Sequence, residues 1–428
     1  MKKLLAVMLM PVFWTPLPVI STEKVIPLLN TDLYQLGQDI VKSTKYYHQI
    51  PKNPNLFQDS VVYDDMDLTV ADYLIEPDTP IQIVNLGVNN HQVPVFELAD
   101  GKYIEASRYI IYEDQVISQS SVDLKFWTQK NMTIYPSPYV LGVKETKVAV
   151  EPNVSVHASN MAQTHHGTYY LIDQKGWVHE KDLSISDNRM SKVQEMLSNK
   201  YNKDQYSIFV KQLDTQASAG INADKTMYAA SISKLATLYH VQKQLNVKKH
   251  SDNDMLTYID AVNHFYGDYD PTGSGEMSKT ADHKDYSIKN LLKAVAKHSD
   301  NVATNLLGYY ICQQYQGDFQ NELRALSGID WDMEKRLISS KAAANVMEAI
   351  YYQKGDIISY LSATDFDDSR IAKNIPVPVA HKIGDAYDYK HDVAIVYGKS
   401  PFILSVMTDK ASYDDITNIA DDVYSILK

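Results

Sequence analysis

The stretch Tyr228–Gln242, YAASISKLATLYHVQ, decides how the second half of this chain folds. Leu235, Leu238 and Tyr239 share one face of a helix and would carry it into a core. Lys234 therefore stands where a helix enters apolar surroundings, an expensive place for a charge. Ser231 lies three residues earlier on the same face, within reach of the lysine. A serine hydroxyl is a weak nucleophile until a base takes its proton, and a lysine can be that base when burial and a nearby cation depress its pKa. By itself the S-x-x-K spacing is also produced by a surface lysine one turn after a helix-entry serine. Ser233 reads as such a helix-entry hydroxyl.

Around this stretch the pattern is mixed. SDNRMSKVQEMLSNKY has Met190, Val193 and Leu197 at helical spacing, with Ser186 and Asp187 as candidate caps. YSIFVKQLD alternates as a strand. Helices are expected around Lys289–Lys297, Val302–Tyr315 and Lys341–Tyr352. Strands follow at His391–Tyr397 and Phe402–Thr408, then a last helix with Ile416, Ile419, Val423 and Ile426 on one face. Strands at both ends with helices between predict an α+β domain over 190–428, one antiparallel sheet covered by helices.

Two further motifs follow in order: KHSDNVATNLL contains Ser299-Asp300-Asn301, and AHKIGDAYDYKHDVAIVY contains Lys382-Ile383-Gly384. The separations are 68 residues from Ser231 to Ser299 and 83 from Ser299 to Lys382. With S-x-x-K these resemble the three-part signature of class A β-lactamases and penicillin-binding proteins, and DPTGSGEMSKT is similar to the G-S-G segment of that family. The resemblance covers about 200–428. It implies that Ser231 is the acylated nucleophile, Lys234 its base and Ser299 a proton relay. Asn301 would hold the substrate amide, Lys382 would add positive charge, and the backbone N–H groups of Ser231 and Asp385, beside Gly384, would form an oxyanion hole. Asp300 would hold its loop.

The chain departs from the family at two places. Ile383 stands where a threonine or serine hydroxyl normally donates to the substrate carboxylate, a bond worth about 1.5–3 kcal/mol. LSGIDWDMEKRLISSKAAANVM contains no E-x-x-L-N, so the glutamate that activates the deacylating water in class A enzymes has no counterpart by motif. Glu322, Asp332 and Glu334 are the nearby carboxylates. Slow deacylation is the expectation.

The first half reads as all-β, with short alternating runs separated by Pro, Asn, Asp and Gly. It also repeats. Ile75-Glu76-Pro77-Asp78 returns 75 residues later as Val150-Glu151-Pro152-Asn153, and FELADGKYIEASRY aligns with YLIDQKGWVHEKDL at an offset of 74. Two small barrels are expected, at 51–115 and 124–185, after a connector at 21–50. The ending Gly176-Trp177-Val178 resembles bacterial SH3-like modules of the GW type, which implies attachment to cell walls; only the second copy has Gly-Trp, and Trp177 and Tyr103 also read as the aromatic cores of two barrels. His165-His166 reads as an exposed turn.

The whole chain has 428 residues, room for two to four domains. Its net charge of −12 argues against a general affinity for nucleic acid or anionic lipid. MKKLLAVMLMPVFWTPLPVI resembles a secretory signal or N-terminal anchor over 1–20, broken by Pro11, Pro16 and Pro18 and short of the roughly 20 apolar residues of a spanning helix. Cys312 is the one cysteine in the sequence, so neither an intramolecular disulfide nor a cysteine metal cluster is expected. There is no H-E-x-x-H and no phosphate-binding glycine loop, and no cofactor or metal is expected.

Together these features predict an exported, extracytoplasmic serine hydrolase of Gram-positive type, secreted or held at the surface by its N-terminal segment. Its partners would be D-Ala-D-Ala-type peptides of peptidoglycan or other wall polymers, with β-lactams as ligands but little fast β-lactam turnover. The alternative is a pseudoenzyme that binds the wall or regulates and turns nothing over.

Overall fold

The computed structural model describes residues 45–428. The N-terminal apolar segment and most of the connector lie outside the described residues. The chain divides into one unit up to Ile117 together with Val140–Val143, and another made of Ser118–Tyr139 and Lys144–Lys428.

In the first unit, five antiparallel strands lie in the order Ala71–Ile75, Ser60–Tyr63, Tyr103–Glu105, Pro94–Leu98, Ile83–Val88, and Pro54–Leu56 pairs with Ile111–Glu113. Leu56, Val62, Phe96, Ile104 and Ile111 form its core. Tyr47, in the stretch read as connector, belongs to the same core: its ring meets Phe96 at 5.7 Å and its hydroxyl donates to the Ile111 carbonyl at 3.1 Å. So small a sheet has few large apolar side chains, and this aromatic ahead of residue 51 helps to fill it.

The second β region is one six-stranded antiparallel sheet, ordered Leu183–Ser184, Ser118–Thr128, Ser155–Thr164, Gly167–Ile172, Gly176–His179, Ile134–Tyr135. The sequence repeat has a backbone counterpart. Asp78 and Asn153, each after a proline, both adopt left-handed φ, 63° and 59°. The aligned Ile104 and Val178 are both buried in second strands of hairpins. Trp177 is only 6% exposed and packs on Ala162 and Tyr169, so its ring is a core element and is not presented to a ligand. Tyr103 is half-buried opposite Tyr63; Phe96 and Tyr47 take the core place expected for it. His165-His166 forms the expected turn.

The remainder is an α+β domain. Five antiparallel strands run in the order Ser218–Ile221, Tyr206–Gln212, Phe402–Asp409, Tyr389–Val396, Val379–Ala386. Side chains alternate between two cores. Ile403, Met407, Val393 and Ile395 meet the large helical layer, while Phe402, Leu404, Val406 and Val396 meet helices Arg189–Lys200 and Tyr413–Leu427 on the other face. Burial on both faces explains why these strands read as nearly unbroken apolar runs. Among the described residues no helix is long and apolar enough to cross a membrane.

Two local expectations are corrected. The helix expected over Val302–Tyr315 ends at Tyr310, because Gln313, Gln314 and Tyr315 turn left-handed and bring the Tyr315 ring back into the core. Ser186 does not cap the first helix, and Asn188 at its N-cap position makes no side-chain capping bond; Asp187 Oδ1 instead accepts from Arg189 N, the first N–H of the helix, at 3.0 Å. Asp187 is engaged by Arg189, at 2.8 Å between Nη2 and Oδ2, and Arg189 also donates to the Leu427 carbonyl at 2.8 Å and lies 4.9 Å from the centre of the Trp127 ring. Burial pushes the Asp187 carboxyl up, but Arg189 outweighs it and holds it below the usual carboxylate range. Such a depressed carboxylate adds stability above its unfolded pKa and loses it as pH falls. Arg189→Ala should therefore lower stability by about 3 kcal/mol near neutral pH, and urea titrations should show this deficit shrinking below about pH 4.

Candidate active site

The turn Ala230–Ser233 and the helix Lys234–Asn246 form as the opening stretch predicts, but the entry is tighter than a plain helix start. Ala230 is left-handed, with φ 47°, and the turn is a 3₁₀ helix that places half-buried Ser231 just ahead of Lys234. Ser233 does not cap the helix: its hydroxyl donates to the Ala230 carbonyl at 2.6 Å and shares a hydrogen bond with the Tyr269 hydroxyl. A helix-entry reading misses this because Tyr269 arrives from elsewhere in the fold.

Lys234 is fully buried. Its Nζ donates to the Ser299 carbonyl at 2.6 Å and to Asn301 Oδ1 at 2.6 Å, and lies 3.4 Å from Ser299 Oγ. Burial, then the charges of Lys382, Arg336 and Lys279, hold its pKa well below the usual lysine value, against the opposing pull of Asp300. The amine is thereby biased toward its neutral, proton-accepting form.

Ser299 ends the helix Ile288–His298 in a left-handed cap, φ 53°, and Asp300 starts the helix Asn301–Tyr310. That junction turns the Ser299 carbonyl and hydroxyl and the Asn301 amide toward Lys234. Asp300 accepts from Ala303 N at 2.9 Å through one oxygen, and from Glu276 N and Met277 N at 2.7 and 2.9 Å through the other. It binds the G-S-G loop to the S-D-N turn. Gly275 permits this closeness, since a Cβ there would fall 2.2 Å from Asp300 Oδ2. Asn301 Nδ2 donates to the Asp270 carbonyl at 2.7 Å.

From the third side comes the strand Val379–Ala386. Lys382, 1% exposed, donates to Ser299 Oγ at 2.8 Å, so one serine hydroxyl lies between two lysine amines. Burial first, then Arg370, lowers the Lys382 pKa to about 7 against the pull of Asp392. Gly384 brings this strand against the serine turn: a Cβ there would meet the Ala229 carbonyl at 2.6 Å and Ile232 Cγ1 at 2.9 Å. Ile383, 6% exposed, offers no hydroxyl. Asp385 pairs with Arg370 at 2.7 Å and receives a bond from the Tyr413 hydroxyl.

The candidate deacylation carboxylates each have other partners. Glu322 bonds to His240 Nδ1 at 2.8 Å and to Lys243. Asp332 accepts from Glu334 N at 2.8 Å and from the Tyr266 hydroxyl at 3.0 Å, and Glu334 accepts from Gly267 N at 3.1 Å. Tyr269 and Arg336 were not legible as site residues: Lys234 Nζ is 4.6 Å, and Arg336 Cζ 3.8 Å, from the Tyr269 ring centre. No local motif surrounds either. Cys312 is buried, and burial pushes its thiol up, away from a reactive thiolate. Glu276, His298 and Asp365 bring three potential metal-ligand atoms within 4.8 Å of one another, with His298 Nδ1 hydrogen-bonded to Asp365 at 2.8 Å.

A family profile described as "Beta-lactamase enzyme family" matches residues 188–427, more than half of the chain, and a "Domain of unknown function" profile matches 46–111. No curated protein matches the chain. Among solved structures, "PBP-A" aligns at 15% identity and TM-score 0.46, over 56% of this chain and 94% of that one. A variant of PBP-A, titled as an acyl-enzyme complex with penicillin G, aligns at 17% identity and TM-score 0.45 over the same shares. A β-lactamase from Sphaerobacter thermophilus aligns at 16% identity and TM-score 0.45, again over 56% and 94%.

A buried lysine with a lowered pKa has a definite stability sign. Below its folded pKa the native state must hold a charge away from water, and that cost is relieved as pH rises from about 7 toward the usual lysine value. Lys382→Met should therefore raise stability relative to the native chain more at pH 6 than at pH 10, as read by urea midpoints; an equal difference at both would contradict the assignment.

Proposed function

The chain belongs to the β-lactamase enzyme family, and from that membership and the geometry around Lys234 we propose that it is an exported serine hydrolase acting through an acyl-Ser231 intermediate on D-Ala-D-Ala-type peptides or related amides. One observation supports this most directly. Lys234, three residues after Ser231, is a buried amine fixed by two acceptors at 2.6 Å and held toward neutrality. A shell that only bound its ligand would gain nothing from so costly a placement.

In this reading Ser231 Oγ attacks the carbonyl carbon of the substrate while its proton passes to Lys234 Nζ. The developing oxyanion is met by the N–H groups of Ser231 and Asp385, a contribution of about 2.7–4 kcal/mol per donor in comparable enzymes. The C–N bond then breaks, and the leaving amine takes a proton through the Ser299 hydroxyl, which Lys234 and Lys382 can recharge. Asn301 orients the substrate amide. Water or an amine acceptor next takes the acyl group, giving hydrolysis or transfer.

Deacylation is the slow step. Asp332 and Glu334 accept from backbone N–H groups and Glu322 pairs with His240 and Lys243, and none of the three lies in a motif that would aim it at a water. Ile383 removes a donor to a substrate carboxylate, and Lys382 beside it would supply the positive charge that attracts one. Export rests on the N-terminal sequence. The two β regions would act as spacers or binders toward the wall; the burial of Trp177 argues that any such binding does not use its ring.

Incubation with a reporter penicillin followed by intact-protein mass spectrometry should give a long-lived adduct on the native chain and none on Ser231→Ala. Fast turnover of a chromogenic cephalosporin would contradict the slow-deacylation part. If neither a penicillin nor a neutral activated ester labels Ser231, the pseudoenzyme reading takes precedence.

A further inference from the structure

One segment, residues 329–339, holds the serine turn at both ends. The Arg336 carbonyl accepts from Ala229 N at 2.8 Å, Leu337–Ser339 pairs with Thr226–Tyr228, and fully buried Trp331 donates to the Ser233 carbonyl at 3.3 Å. The same segment sends the Arg336 side chain across the Tyr269 ring, 3.8 Å from its centre, with Nη2 donating to the Asp268 and Gly267 carbonyls at 2.7 and 3.3 Å and Nη1 to the Tyr228 hydroxyl at 3.3 Å. Arg336 adopts a left-handed φ of 49°, and its Nε is buried with no hydrogen-bond partner. Non-glycine residues are held in such conformations where the surroundings over-determine them, often at functional sites.

We propose that Arg336, acting through the ring of Tyr269, is a positioning residue that fixes Lys234 as the proton acceptor for Ser231. The proposal rests on the serine-hydrolase reading. Tyr269 touches three of the parts involved: Lys234 Nζ lies 4.6 Å from its ring centre, its hydroxyl bonds with Ser233, and its ring carries Arg336. An aromatic face attracts a cation, so Tyr269 alone would favour a charged Lys234. With Arg336 on the same ring, that attraction is shared and a second fixed positive charge opposes protonation of the lysine. The planar, always charged guanidinium suits this role, since it stacks on the ring and grips two carbonyls at once.

The other groups facing Lys234 are Lys382 from the last sheet strand, Lys279 from the G-S-G loop, Asp300, Ser299 and Asn301 from the helix junction, and Tyr269 itself. Lys382 and Lys279 act in the same direction as Arg336, and Asp300 acts against it. Removing Arg336 should therefore shift the lysine only in part.

The test follows two quantities against pH in the full chain: the rate of Ser231 acylation by a penicillin or a neutral activated ester, and the titration of Lys234 by NMR of [13Cε]-lysine protein, assigned with Lys234→Met. In Arg336→Gln the midpoint of the lysine and the acid limb of acylation should both rise by roughly one pH unit, and the plateau rate should fall several-fold. Arg336→Lys, which keeps the charge but loses the fork, should largely restore the midpoint while the plateau stays low. Lys335→Gln, an exposed neighbour, should change neither. An unchanged midpoint and plateau in both Arg336 variants, with melting curves like the native one, would overturn the proposal; should the glutamine variant fail to fold, an unchanged plateau in Arg336→Lys would do so. If the native chain forms no adduct with either acyl donor, the hydrolase reading fails, and the NMR midpoints still decide whether Arg336 sets the state of Lys234.

Discussion

The amine of Lys234 is the constraint around which the C-terminal domain is arranged. A charged ammonium in a core is strongly disfavoured unless it is paired, and the acceptors it meets are neutral: the Ser299 carbonyl and the Asn301 amide oxygen. They orient the amine without fully supporting its charge, while Lys382 and Arg336 add positive potential. The unusual backbone of the site follows from making room for this arrangement. Ala230 and Ser299 take left-handed conformations, and Gly275 and Gly384 allow backbone approaches that a Cβ would block.

Two buried amines share one hydroxyl. Ser299 Oγ lies 2.8 Å from Lys382 Nζ and 3.4 Å from Lys234 Nζ, which makes it a natural bridge for a proton between them. The two amines have different surroundings. Lys382 is pulled back toward its charged form by Asp392, whereas Lys234 is surrounded by more positive charge. Different environments thus hold two groups of the same kind in different states.

The motifs were legible because each is short and carries its geometry with it. Three residues along a helix put Lys234 on the face of Ser231, and S-D-N spans the end of one helix and the start of the next. Strands at both ends of the domain with helices between likewise foretold one antiparallel sheet covered by helices. Misreadings occurred where a local rule competed with a distant partner. Ser233 looks like a helix cap, but Tyr269 and the Ala230 carbonyl take its hydroxyl. Asp187 looks like a simple cap, but the carboxylate that accepts from Arg189 N also pairs with the Arg189 side chain. Tyr47 looked like part of a connector and lies in a core.

By itself, the sequence determined the class of fold in each half, the internal repeat and the order of the three motifs, since periodicity and spacing are properties of neighbouring residues. Only the tertiary structure decided that Trp177 is buried, which partners Glu322, Asp332 and Glu334 take, and that Tyr269 and Arg336 surround Lys234. These depend on contacts between residues tens of positions apart, such as Arg336 with Tyr269, and on how much water remains around a group once the chain has closed over it. Burial and long-range charge are set by packing, and no local pattern encodes them.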